Sequence, residues 1–112
     1  MAVESQSIGV VRVSRQVLAT IVINTVLQIP GVVRVAQPSD RWSRLLGRET
    51  LRQGVKLTVK DNTVTADLYI VVSAGSNIVE VGTSLQEEVA SALEKMTGMQ
   101  VREVNVYIQD VI

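Results

Sequence analysis

"VKLTVKDNTVTADLYIVV", residues 55–72, alternates apolar and polar positions through two runs joined by Asp61 and Asn62. In the first run Val55, Leu57 and Val59 share a face. In the second, Val64, Ala66, Leu68, Ile70 and Val72 do. A period of two is the signature of a strand packed on one side only. Asp and Asn tolerate the left-handed backbone that a two-residue hairpin turn demands. The stretch therefore predicts an antiparallel hairpin with one buried and one wet face, and the other elements are placed around it.

Downstream, "SAGSN" (residues 73–77) leads into a helix expected from about Asn77 to Met96 and ended by Gly98. Ile78, Val81, Leu85, Val89, Ala92, Leu93 and Met96 form one arc of it; Glu80, Ser84, Glu87, Ser91 and Glu94 form the other. That is a helix lying on a sheet with its back in water. "GMQVREVNVYIQDV" (residues 98–111) then alternates from Arg102 to Gln109, with Val104, Val106 and Ile108 opposed to Glu103, Asn105, Tyr107 and Gln109, and reads as the last strand.

Upstream, "VVRVA" (Val32 to Ala36) predicts a short strand and Ile8 to Val13 another. Ser14 caps a helix that runs to about Gln28, where Ile29-Pro30-Gly31 stops it. The predicted order is β-α-β-β-β-α-β. It fits an α+β fold, a two-layer sandwich with two helices on one face of a mostly antiparallel sheet. Residues 1–6 read as a loose tail and residues 7–112 as one domain. Within it, residues 37–54, "QPSDRWSRLLGRETLRQG", form an irregular basic loop.

The first helix differs from the second. Leu18, Ala19, Val22, Val26 and Ile29 form its core arc. Its other side carries Gln16, Thr20, Asn24 and Gln28, interleaved with Val17, Ile23 and Leu27, and no charge follows Arg15. Solvated helix backs normally carry Lys and Glu; amides and hydroxyls mixed with large aliphatics suit a covered surface. Gln16, Thr20, Ile23, Asn24 and Leu27 are accordingly the expected partner-binding residues. Two covers fit: the loop of residues 37–54 folding back through Trp42, Leu45, Leu46 and Leu51, or another copy or another protein.

Composition restricts the chemistry. Among 112 residues there is no His, Cys or Phe, so the usual proton shuttle, thiol chemistry and the commonest metal ligands are missing. Glu87 and Glu88 adjoin on the wet arc of the second helix, Asp61 sits at the turn and Asp67 on the outer side of a strand. Lys56, Lys60 and Lys95 lie in no catalytic motif. "AGSN" lacks phosphate-loop glycines and lysine, and Ser76 or Asn77 reads as a helix cap. No catalytic, cofactor-binding or metal site is expected.

Net charge is zero, but residues 1–60 hold nine Lys and Arg against three Asp and Glu, and residues 61–112 hold two against eight. Such a division suits self-association with opposite charges meeting, or docking of the basic side on an anionic surface, as well as a fold that interleaves the two. The longest apolar stretch, Val17 to Ile29, is too short and too polar to span a bilayer. "MAVESQS" has no signal-peptide pattern, so a cytoplasmic protein is expected.

Arg41, Trp42, Arg44, Arg48 and Arg52 place positive charge and one ring in a single loop, which opens an alternative of RNA binding. A third reading is contact with anionic lipid head groups. Against RNA, no GxxG loop stands beside a helix, only Tyr69 and Tyr107 offer sheet aromatics, and net charge is zero.

Four segments together, "GVVRVSRQVLATIVINTVLQIPGVVRV", "GVKLTVKDNTVTADLYIVV", "AGSNIVEVGTSLQEEVASALEKMTG" and "MQVREVNVYIQDV", resemble the alkaline shock protein family of bacterial envelope-stress proteins, the Gls-type general stress family. The likeness runs through Ser14, Pro30-Gly31-Val32, Gly54-Val55-Lys56, Gly75-Ser76-Asn77-Ile78, Gln86-Glu87, Thr97-Gly98 and Glu103-Val104-Asn105-Val106, and covers about residues 8–111. The resemblance implies a small, non-enzymatic bacterial protein tied to cell-envelope homeostasis, with no catalytic residues to carry over. It also implies self-association, and for some members a peripheral place at the membrane through an anchor protein. Departures at Gln28 and Ala74, and the lack of charged tails, resemble the short housekeeping type more than the abundant shock proteins.

Overall fold

A computed structural model of the chain describes residues 8–36 and 54–112. The elements are α1 (Arg15–Val26), β1 (Val32–Val35), β2 (Val55–Lys60), β3 (Thr63–Val72), α2 (Ile78–Thr97) and β4 (Gln100–Val111). Among the described residues the result is an α+β sandwich of two helices on a four-stranded sheet. The expected tail at residues 1–6 and the basic loop lie outside the described residues, Gly54 excepted.

β3 is the centre. The predicted hairpin forms in the expected register, from Val55 opposite Leu68 to Lys60 opposite Thr63. Its turn residues Asp61 and Asn62 adopt φ of 50° and 62°, the left-handed backbone these two side chains tolerate. β2 occupies one edge of β3 over residues 63–68, and β1 continues antiparallel along that same edge opposite Ile70 to Val72. β4 takes the whole other edge in parallel, from Thr63 opposite Gln100 to Val72 opposite Val111. Two pairings are thus antiparallel, while the longest is parallel. A parallel neighbour requires a crossover, and α2 supplies it.

Inward residues of β3 (Val64, Ala66, Leu68, Ile70 and Val72) are fully buried. From α1 they meet Leu18, Ile21, Val22 and Val26, and from α2 Val81, Leu85, Val89 and Leu93. Each such side chain contributes roughly 1.5–3 kcal/mol by leaving water. Of the expected α2 arc, Ile78 and Met96 are exposed instead, at 44% and 69%; they sit in the end turns, beyond the sheet's cover. Both helices begin as expected: Ser14 Oγ accepts from Val17 N–H at 3.2 Å and Asn77 Oδ1 from Glu80 N–H at 3.1 Å. α2 ends at Gly98 in the left-handed conformation.

One expected strand is absent. Residues 8–13 have no ladder partner, and Ile8, Val10 and Val11 stand 90%, 76% and 94% exposed. Alternation makes a segment suitable for a strand, but only a partner edge makes it one, and none takes it up within the described chain.

Gly54 closes the seam between β1 and β2. Its carbonyl accepts from Tyr69 N–H at 2.9 Å, and the Tyr69 carbonyl accepts from Ala36 N–H at 2.7 Å. With φ at +79°, a Cβ on Gly54 would run into Val35 Cγ1 and meet the Ala36 carbonyl at 2.5 Å. Gly54→Ala is therefore expected to lower unfolding free energy by about 1–3 kcal/mol in denaturant titration. Gly75→Ala, also at positive φ but with nothing within 4 Å, is expected to cost less.

Candidate partner-binding site

The back of α1 is where exposure and sequence disagree with an ordinary solvated helix. Leu18, Ala19, Ile21, Val22 and Val26 turn to the core. On the opposite side Gln16, Thr20, Asn24 and Gln28 are exposed, Val17 is 49% exposed and Leu27 53%. The helix has no acid in its first turn and no base in its last. α2, in contrast, exposes Glu80, Glu87, Glu88, Glu94 and Lys95.

Gln16, Val17, Thr20, Asn24 and Gln28 line an open groove of about 510 Å³ whose far wall is Met96 of α2. Two hydroxyls at the groove are already bonded inward: Thr20 Oγ1 donates to the Gln16 carbonyl at 3.0 Å, and Thr25 Oγ1 to the Ile21 carbonyl at 2.8 Å. The side-chain amides of Gln16, Asn24 and Gln28 remain as groups able to pair with an incoming backbone, beside the apolar Val17 and Met96.

Of the five residues expected to bind a partner, the structure gathers Gln16, Thr20 and Asn24 on this groove. Leu27, the C-cap, continues the same side of the helix. Ile23 departs: it is half-buried and packs against the core, at the margin of the face. Met96 was missed, because the helical wheel assigns it to the α2 core arc; its place in the last turn is the signal that could have separated it. Arg41, Trp42, Arg44, Arg48 and Arg52 lie outside the described residues. So do Leu45, Leu46 and Leu51.

The open face of the sheet carries a second constellation. Tyr69 and Tyr107 stand side by side on β3 and β4, ring centroids 5.0 Å apart and nearly parallel at 17°. Next to them Asn105 Nδ2 donates to Asp67 Oδ1 at 2.9 Å. Burial raises the Tyr69 phenol above the usual tyrosine range, helped by the nearby charge of Asp67 and then by Tyr107. Glu103 and Asp110 face the same side, opposite Thr65 and Val71. Among the described residues no three His, Cys, Asp or Glu are grouped to hold a metal ion, and no helix is long and apolar enough to cross a membrane.

A family model described as alkaline shock protein 23, with cell envelope-related function, matches residues 3–112. The chain belongs to this family. A Streptococcus pyogenes serotype M6 protein, Spy1614, is 36% identical over 106 residues, covering 92% of this chain and 88% of its own. Two Bacillus subtilis (strain 168) proteins are similar as well: YloU at 29% identity, covering 92% of this chain and 88% of its own, and YqhY at 27%, covering 94% and 78%. Among solved structures, MamM-CTD 215-293 superposes with a TM-score of 0.54 at 14% identity, over 87% of this chain and 99% of that one. That likeness shows the fold alone.

A raised phenol gives a pH expectation. Tyr69 stabilises the fold at pH values below the unfolded tyrosine pKa of about 10, and that contribution is lost as pH climbs through the higher folded value, since the unfolded chain then holds fewer protons. Asp67→Asn removes one of the two charges that raise it. Phenolate absorbance is expected to show Tyr69 titrating at lower pH in that variant than in the parent.

Proposed function

We propose that this chain is a non-enzymatic docking module of the bacterial cell-envelope system, which works by binding a second copy of itself through the back of α1. The observation that carries the reading is the uncharged groove of Gln16, Val17, Thr20, Asn24 and Gln28 with Met96, open to solvent in the isolated chain. A surface of mixed aliphatics and adaptable amides has little reason to lack charge unless it is covered in use. Removing apolar area there contributes roughly 25 cal/mol per Å², against association costs of several kcal/mol. Stable pairing therefore needs the whole face rather than one residue.

In this reading the protein is cytoplasmic. Another protein, such as a membrane anchor, occupies the same face when the chain is recruited to the envelope periphery. The family's envelope-related description supports this. RNA binding, the alternative, draws less support from the sheet. Tyr69 and Tyr107 each spend a ring face on the other, and Asp67, Glu103 and Asp110 would repel phosphates.

The test is light scattering across a concentration series on the parent and Leu27→Glu. At each concentration the parent is expected to reach a higher mass than Leu27→Glu, which has lost the α1 contact; equal masses would count against that contact. Because Leu27 is half exposed but caps the C-terminus of α1, Leu27→Glu should lower the unfolding free energy of dilute, monomeric protein by only about 1 kcal/mol, leaving it folded. A parent that stays monomeric throughout would rule out self-association through this face.

A further inference from the structure

Two features without a strand partner among the described residues lie close together at the start of α1. One is the segment of residues 8–13, which is irregular, with Gly9 at a φ of 108°, and whose Ile8, Val10, Val11 and Val13 are all exposed. The other is the outer edge of β2. Gly54 bonds to Tyr69 of β3, so by strand alternation Lys56, Thr58 and Lys60 also point their backbone groups at β3, while those of Val55, Leu57 and Val59 point away. Arg15 marks the proximity: its Nη1 donates to the Leu57 carbonyl at 3.4 Å.

We propose that residues 8–13 of one copy pair as a strand along the outer edge of β2 in a second copy, the two copies exchanging these segments. The segment belongs to the domain, since the family match begins at residue 3. Whichever alternate set turns inward, Ile8 with Val10 or Val11 with Val13, two large aliphatics extend the partly buried row of Leu57 and Val59.

Pairing within one chain is cramped. Val13 leads directly into the N-cap Ser14, and the helix layer stands about 10 Å above the sheet. At about 3.3 Å per residue, some three residues would go into the climb, leaving only about half the segment to pair. A second copy removes that restriction. The β4 edge is the poorer acceptor, because its register is interrupted twice, between Val64 and Thr65 and between Ile70 and Val71 of its partner strand, whereas β2 runs without a bulge. This contact is separate from the α1 groove.

The experiment is amide hydrogen exchange at Val55, Leu57 and Val59 across a dilution series, with molecular mass followed in parallel. It is run on the parent, on Leu27→Glu, and on a Val10→Pro/Val11→Pro double variant that removes a donor from each alternate set. Exchange in the parent and in Leu27→Glu is expected to slow about tenfold or more at high concentration as mass doubles, and to stay fast in the proline variant. Fast exchange at every concentration would overturn the proposal. So would slow exchange at every concentration with a monomer mass, which would mean pairing within one chain. If residues 8–13 matter only for folding, the proline variant would lose its thermal transition, and a second measurement then decides. With no native cysteine, chains carrying Arg12→Cys are mixed with chains carrying Lys56→Cys and treated with a short bis-maleimide. A cross-linked pair of unlike chains supports exchange, and none overturns it.

Discussion

The whole fold hangs on β3 being satisfied along both edges while one of its faces is sealed under the helices. Five of its ten side chains point inward and are fully buried. Its backbone is bonded to β2 and β1 on one side and β4 on the other. With no Phe and a single Trp in the chain, this core is built from Val, Leu and Ile. Such side chains fill space closely when a flat helix pair lies on a pleated strand. Both helices have to spend their apolar arcs on that one strand, which leaves the surface identity of each helix to its back.

The backs diverge, and the proposed function rests on that divergence. α2 wears carboxylates and a lysine; α1 wears amides, hydroxyls and aliphatics. A helix that only had to hold the sheet would serve equally well with charges outside. The proposed recognition face on α1 accounts for this difference in a family with cell envelope-related function.

Much of the fold was legible. The hairpin could be read because alternation fixes the face and Asp61-Asn62 fixes the turn. The helices could be read from Ser14, Asn77 and Gly98, whose caps form as the residue types require. Strand direction was harder: alternation in residues 98–111 says nothing about whether a strand runs parallel or antiparallel, and only the intervening helix hints at a parallel crossover. Residues 8–13 carry a strand pattern, yet a pattern cannot supply the edge to pair with. On α1, helical spacing put Gln16, Thr20, Asn24 and Leu27 on the exposed side, where the structure has them. Ile23, expected beside them, is partly buried against the core, and Met96, expected in the α2 core arc, is exposed and walls the groove. The pairing of Tyr69 with Tyr107 needs the β3–β4 register, which no local pattern contains.

The most direct measurement compares oxidative labelling of Val17, Leu27 and Met96 by hydroxyl radicals in intact cells and in dilute purified protein. If the back of α1 is covered in use, all three label readily in dilute solution and are protected in cells, while exposed Val79 of α2 labels in both. Equal labelling of Val17, Leu27 and Met96 in the two settings would mean the helix back meets only water, and the docking account would fail.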